Sequence, residues 1–225
     1  MPCLAAEPVP LCVGNYPPYN SHELPDNGPV LQIATEAFRH VGLPVSISFL
    51  PWVRLLKQAE AGECAIVGIW RNAERDRLYD FSAPIVRQEL GLFGPVGTPV
   101  KQLSGQLIGV ERGSYLPAQL LEKDVLRYQV LGVRQNFTML HHGRIALAFA
   151  DRAAGEYLLR QQPEMALKIE WKEPRLEFKD AYLAGHRRYP LARAWVQAFD
   201  RGLSAMKADG SYQRILKKAG LLAPS

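Results

Sequence analysis

A carboxylate placed directly after an unbroken apolar run is the first candidate for chemistry in this chain. Ile145 to Ala150 reads as a buried strand, and Asp151 follows it at the carboxyl end, where open α/β sheets bind their ligands. The same residue is a good N-cap for a helix over 152–160, and the two roles are compatible. Arg75 lies in the charged run Arg71 to Arg77. A guanidinium fork suits bidentate recognition of a carboxylate, yet by sequence alone Arg75 reads as a surface residue in a helical turn. The three cysteines, Cys3, Cys12 and Cys64, have no metal-ligand spacing. His141 and His142 are chain neighbours that point in different directions on a helix, which reads as a solvated helix end. Neither a metal nor a cofactor is expected. A P-loop, a Ser-His-Asp order and a GxGxxG fingerprint are all missing, which argues against NTPase, hydrolase and dinucleotide chemistry.

Composition narrows the class further. Twenty-seven Lys and Arg against 22 Asp and Glu leave a charge of +5 in 225 residues. Basic residues are interspersed with acids, as in Glu74-Arg75-Asp76-Arg77, rather than gathered into the patch that nucleic-acid binders use. No nucleic-acid partner is expected. Apolar stretches such as Cys64 to Trp70 are strand-sized, well short of the roughly 18–20 residues that span a bilayer, so the chain reads as soluble. At the N-terminus, Leu4-Ala5-Ala6 resembles the small-residue end of a secretory signal, without its basic and apolar regions. A trimmed signal and a cytosolic start both fit.

The elements that must position these residues alternate between strand and helix. Leu11 to Gly14 reads as a buried strand ending in the turn Tyr16-Pro17-Pro18-Tyr19. Val30, Ile33, Ala34, Ala37 and Phe38 share one face of a helix closed by Gly42. Val45 to Phe49 alternates as a strand, Pro51 opens a helix ending at Gly62, and Cys64 to Ile69 is a third strand. That order implies a parallel sheet with right-handed crossovers. The pattern restarts with strands at Leu107 to Val110, Tyr128 to Val133 and Ile145 to Ala150. Helices are expected from Ser114 to about Glu122, over Asn136 to His142 and over Arg152 to Arg160. Leu167 to Trp171 and Leu176 to Tyr182 alternate at period two, and helices at Leu191 to Met206 and Ser211 to Ala219 finish the chain.

Six segments, in order, carry a family resemblance. WRNAERDRLYDFSAP at Trp70 to Pro84 resembles the ER-x(5)-FS-x-P signature of the family 3 solute-binding proteins of ABC transporters. VGNYPPY at Val13 to Tyr19 is similar to their first strand and aromatic turn, and LPWVRLLKQAEAGECAIVGIW at Leu50 to Trp70 to their second helix and third strand. GQLIGVERGS at Gly105 to Ser114, GRIALAFAD at Gly143 to Asp151 and KADGSYQRILKKAG at Lys207 to Gly220 resemble the corresponding second-lobe and C-terminal segments.

The resemblance implies an α/β, two-lobe type II periplasmic binding protein fold, with two hinge crossings and a ligand cleft between lobes. Lobe 1 would hold residues 1–88 and 186–225, and lobe 2 residues 89–185. Arg75 matches the arginine that pairs with a ligand carboxylate, and Asp151 the carboxylate that receives its ammonium. Ser114 matches a position that receives the carboxylate at the start of a helix. Tyr16 and Trp52 match aromatic positions that flank the ligand. Four positions depart from the pattern: Gly68 and Trp70 stand where amino-acid binders often carry Ser or Thr, and Asn72 and Tyr115 each replace a common Thr. These imply a reshaped, more apolar or aromatic pocket, which favours an aromatic, modified or quaternary-amine-bearing compound over the standard polar amino acids. If the usual sheet order holds, Cys12 and Cys64 lie on neighbouring strands, so a disulfide and two buried free thiols are both open.

The function implied is that of a periplasmic, monomeric solute-binding protein, which captures a small zwitterionic compound by hinge closure. An ABC permease would receive that compound, and a membrane receptor is the alternative partner. A cyclohexadienyl-dehydratase-like enzyme on the same fold is a further alternative. It would need Asp151 or Glu156 as general acid, although Glu156 is expected to face outward.

Overall fold

The computed structural model describes residues 7–224; the signal-like segment ending at Ala6, and Cys3 within it, lie outside them. In chain order the elements are β1 (Val9–Val13), α1 (Pro29–His40), β2 (Val45–Phe49), α2 (Trp52–Glu60), β3 (Ala65–Trp70), α3 (Ala73–Leu78), β4 (Tyr79–Phe81) and β5 (Val86–Pro95). They continue with β6 (Leu107–Glu111), β7 (Leu126–Val130), α4 (Val133–His141), β8 (Leu147–Asp151), α5 (Arg152–Gln161), α6 (Pro163–Ala166), β9 (Ile169–His186), α7 (Ala192–Ala208) and α8 (Ser211–Ala219). The chain divides into two compact units, Met1–Arg87 with Asp180–Ser225, and Gln88–Lys179. By contacts, residues 180–185 of β9 go with the first unit.

In the first unit β1 pairs in parallel with β2 on one side and β3 on the other. β3 then pairs antiparallel with the end of β9, as does β4. The apolar stripe predicted for the first helix is the buried face of α1, where Val30, Ile33, Ala34, Ala37 and Phe38 are fully covered. Phe38 meets Phe199 of α7 at 5.9 Å between ring centroids, so the C-terminal helices complete the core that the N-terminal strands begin. The Tyr212 hydroxyl fastens α8 by donating to the Ile85 carbonyl at 2.8 Å.

In the second unit β6 is flanked by parallel partners, β7 and β8, and β8 pairs antiparallel with β5. The core gathers Phe93, Phe137, Leu140, Ile145, Ala148, Ala150 and Leu158, with the Phe93 and Phe137 rings 4.8 Å apart.

Several expectations change. No α-helix runs from Ser114 to Glu122; a single 3-10 turn, Ala118–Leu120, is all that forms. Pro117 explains this, because a proline disfavours helical geometry at the residue before it. Arg127 Nη1 instead donates to the Leu120 carbonyl at 2.7 Å, satisfying a group that a helix would have paired. β4 and β5 were not foreseen, α3 is the helical turn expected around Arg75, and the two alternating runs after Leu167 belong to the one long strand β9. Of the two readings of the cysteines, the bonded one holds: Cys12 and Cys64 form a disulfide with Cα atoms 5.7 Å apart. Both residues are buried in a cluster with Leu55, Ile66, Ile69 and Tyr79.

The bridge closes a separation of 52 residues, so replacing both cysteines by serine is expected to destabilise the protein by about 2–4 kcal/mol. Chemical denaturation checks this. Alkylation should add mass to Cys12 and Cys64 only after reduction and unfolding.

Candidate functional site

In an open α/β sheet, ligands bind beyond the carboxyl ends of the strands where the strand order reverses. Each unit has one such point. In the first, the chain leaves β1, forms β2 on one side and returns to form β3 on the other. Tyr16 follows β1, Trp52 opens α2 after β2, and Trp70 ends β3.

Backbone geometry sets these side chains. Gly68, with φ at +88°, lies where the β3–β9 register shifts between Val67 and Ile69. Such a bulge bends the strand and re-aims the side chains beyond it, here that of Trp70. Tyr16 is fixed by a tight turn, its N–H donating to the Asn20 carbonyl at 2.7 Å. Its ring stacks on Tyr19 at 5.9 Å and meets Trp70 edge-on at 6.3 Å. Asn72 caps α3 by accepting from the Arg75 N–H at 2.7 Å, the interaction expected of an N-cap asparagine.

Arg75 departs from a surface reading: only 7% of it is exposed. Its Nη1 donates to the Trp70 carbonyl at 2.7 Å, and its guanidinium lies over the Trp52 ring at 5.5 Å. Burial lowers its pKa from the ordinary value, yet arginine stays charged in proteins. Arg71 and Arg77, expected at the surface, are exposed; Arg71 pairs with Asp76 at 2.9 Å. The first unit thus brings Arg75, Trp52, Trp70 and Tyr16 into one connected group. Trp52 also packs against the disulfide cluster, which backs the wall behind the guanidinium.

In the second unit the reversal falls at β6, with β7 on one side and β8 on the other. Asp151 is the last residue of β8, fully buried, and its Oδ1 accepts the Ala154 N–H at 2.8 Å as the N-cap of α5. Ser114 follows β6, but no helix starts there; its N–H donates to the Glu111 carbonyl at 3.1 Å. Tyr115 lies under Lys179, whose Nζ is 3.9 Å from the ring centroid. Burial and a hydrogen bond with Glu177 raise its phenol pKa. Ser114, Tyr115 and Asp151 are therefore all at the carboxyl ends of β6 and β8. Glu156 is ion-paired with Arg152 at 2.9 Å on the next turn of α5.

Two residues here were not singled out by sequence. Glu111 ends β6, and burial pushes its carboxyl up to about 7. The signal was available, since it closes an apolar strand just as Asp151 does. Asn136 of α4 is buried, and its Nδ2 donates at 3.0 Å to both the Gly109 carbonyl of β6 and the Phe149 carbonyl of β8. It therefore ties β8 to β6, the strand at which the order reverses. Among the described residues no group of three or more His, Cys, Asp or Glu could hold a metal ion, and no helix is long and apolar enough to cross a membrane.

Two α/β units, each with a strand reversal of this kind, make the periplasmic binding protein fold. The chain belongs to the bacterial extracellular solute-binding proteins, family 3, whose profile matches residues 11–221. It is 26% identical over 159 residues to the ABC transporter arginine-binding protein 1 of Escherichia coli K12, a match covering 68% of this chain and 64% of that protein's length. In fold it is similar to a histidine kinase sensor domain that itself resembles periplasmic binding proteins, with TM-score 0.86, 18% identity, and 98% and 99% of the two chains covered. It is also similar to the arginine-, lysine-, histidine-binding protein of Geobacillus stearothermophilus, with TM-score 0.80, 19% identity and 94% of each chain covered. The fold is that of the amino-acid-binding members of this class.

A Cβ on Gly109 would lie 1.8 Å from Asn136 Oδ1. Gly109→Ala and Asn136→Ala are each expected to destabilise the protein by about 1–3 kcal/mol. Because removing the amide also clears space, the double variant should cost less than the sum. A double-mutant cycle by urea denaturation measures the shortfall.

Proposed function

We propose that the protein captures a small zwitterionic amino acid and delivers it to an ABC permease. The observation that carries this reading is the pair of charges held at the two strand reversals, Arg75 in one unit and Asp151 in the other, both buried. Arg75 takes the ligand's carboxylate, since a guanidinium held with little water around it favours a bidentate anion. Asp151 takes the ammonium through the oxygen that does not cap α5. Ser114 adds a hydroxyl to the carboxylate, and Tyr16, Trp52, Trp70 and Tyr115 form aromatic walls. An aromatic face beside a cation contributes about 0.5–2 kcal/mol. Gly68 acts through the bulge that sets Trp70.

The mechanism is capture without bond breaking. A ligand that touches both units favours the closed arrangement only by its extra contacts there, so hinge closure follows from differential affinity. Family membership and the arginine-binding relative support an amino acid as cargo. The disulfide supports an oxidising compartment, as the periplasm is. The likeness in fold to a sensor domain favours a second reading, in which a membrane receptor takes the place of the permease.

Ligand-stripped protein titrated calorimetrically with the common amino acids should bind at least one with micromolar or tighter affinity. Arg75→Ala and Asp151→Asn should each weaken that binding on the order of 100-fold, as expected when one partner of a buried charge pair is removed. Full affinity in both variants would place the ligand elsewhere.

A further inference from the structure

We infer that Asn20 is a further ligand contact: its side-chain amide donates to the ligand's carboxylate beside Arg75, across the gap that the missing side chain of Gly68 leaves. This rests on the amino-acid reading above, and it adds a residue to it.

β3 is buried along its length except at Gly68. The opening has a backbone cause. β1 ends opposite Val67, and on the other side the register with β9 passes from Val67 to Ile69, so Gly68 has no counterpart on either neighbour. Its φ of +88° is a conformation that a residue with a Cβ rarely adopts. A Cβ built there would meet, among the described residues and apart from its chain neighbours, one atom within 4 Å, Asn20 Nδ2 at 3.1 Å. An amide therefore lines the gap where a side chain would stand. The gap lies two residues before Trp70, whose carbonyl holds the Arg75 guanidinium.

Asn20 itself is only 4% exposed, and its backbone is locked. Its N–H donates to the Tyr16 carbonyl at 3.1 Å, its carbonyl accepts the Tyr16 N–H at 2.7 Å, and the next N–H, of Ser21, donates to the Asn27 carbonyl at 2.9 Å. The side chain cannot swing out to water. Yet among the described residues no hydrogen bond reaches the amide, and its Oδ1 is wholly withdrawn from solvent. A buried amide without a partner costs a fold stability that an apolar side chain of the same shape would not. What the cost retains is a donor at the gap. A carboxylate has lone pairs enough to accept from a guanidinium and an amide together, and the group that Arg75 takes is such an acceptor.

Two substitutions of similar shape separate a ligand contact from a structural amide. Asn20→Leu removes the polar atoms, and Asn20→Asp turns the donor into a charged acceptor. Both variants and wild type are stripped of ligand, melted, and titrated calorimetrically with each of the common amino acids. Asn20→Leu should melt at or above the wild-type temperature, since an unpaired buried group is gone, yet bind the preferred amino acid about ten-fold more weakly. Asn20→Asp should bind it more weakly still, because like charges then face each other. A lower melting temperature with full affinity in Asn20→Leu marks a structural amide and overturns the role of Asn20, leaving the amino-acid reading standing. Wild-type or tighter affinity in Asn20→Asp overturns it too, whether or not Asn20→Leu folds. Wild type that binds no amino acid at all overturns both.

Discussion

A guanidinium can be withdrawn from water only where the surrounding structure replaces what water gave it, and that constraint organises the first unit. Arg75 is buried with one N–H on the Trp70 carbonyl and an indole face beneath it. Each supporting group needs its own scaffold. The carbonyl is presented by the end of β3 after the bulge at Gly68. The indole is backed by the cluster around the Cys12–Cys64 bridge. The α3 turn that carries Arg75 is capped by Asn72. Burial of one cation thus links a bulge, a cap, a disulfide and two tryptophans.

The second unit solves the inverse problem with a carboxylate. Asp151 is withdrawn at the end of β8 and is stabilised by the first turn of α5, where a helix N-terminus favours negative charge. In both units the charge stands where the strand order reverses, because only there do neighbouring connections leave on opposite sides and open a crevice. Aromatic residues stand near both reversals, Trp70 at the end of β3 and Tyr115 after β6, and Tyr115 is itself anchored by Lys179 and Glu177 on β9.

Much of this was legible in the sequence. Strands with unbroken apolar runs, such as Ala65–Trp70 and Leu147–Asp151, and helices with a clear stripe, such as Pro29–His40, stand out because burial dictates their pattern. α3 was legible only as a helical turn around Arg75, because Arg75 is its only buried residue and no apolar period marks it. β9 looked like two pieces because Lys172 to Arg175, with Pro174 among them, interrupts the alternation. The helix expected after Ser114 was lost to Pro117, a local preference that outweighed the general strand–helix rhythm. Arg75 shows the same limit at the site: its charged neighbours describe a surface, and only the family motif pointed inward. Asn136 depends on cross-strand register, which a single chain read linearly does not display.

The central claim is that Arg75 and Asp151 hold the two charges of one ligand, and the structure of the protein loaded with an amino acid tests it most directly. The account predicts the ligand carboxylate within hydrogen-bonding distance of the Arg75 guanidinium and the ammonium on Asp151. A bound amino acid that touches neither residue would contradict it.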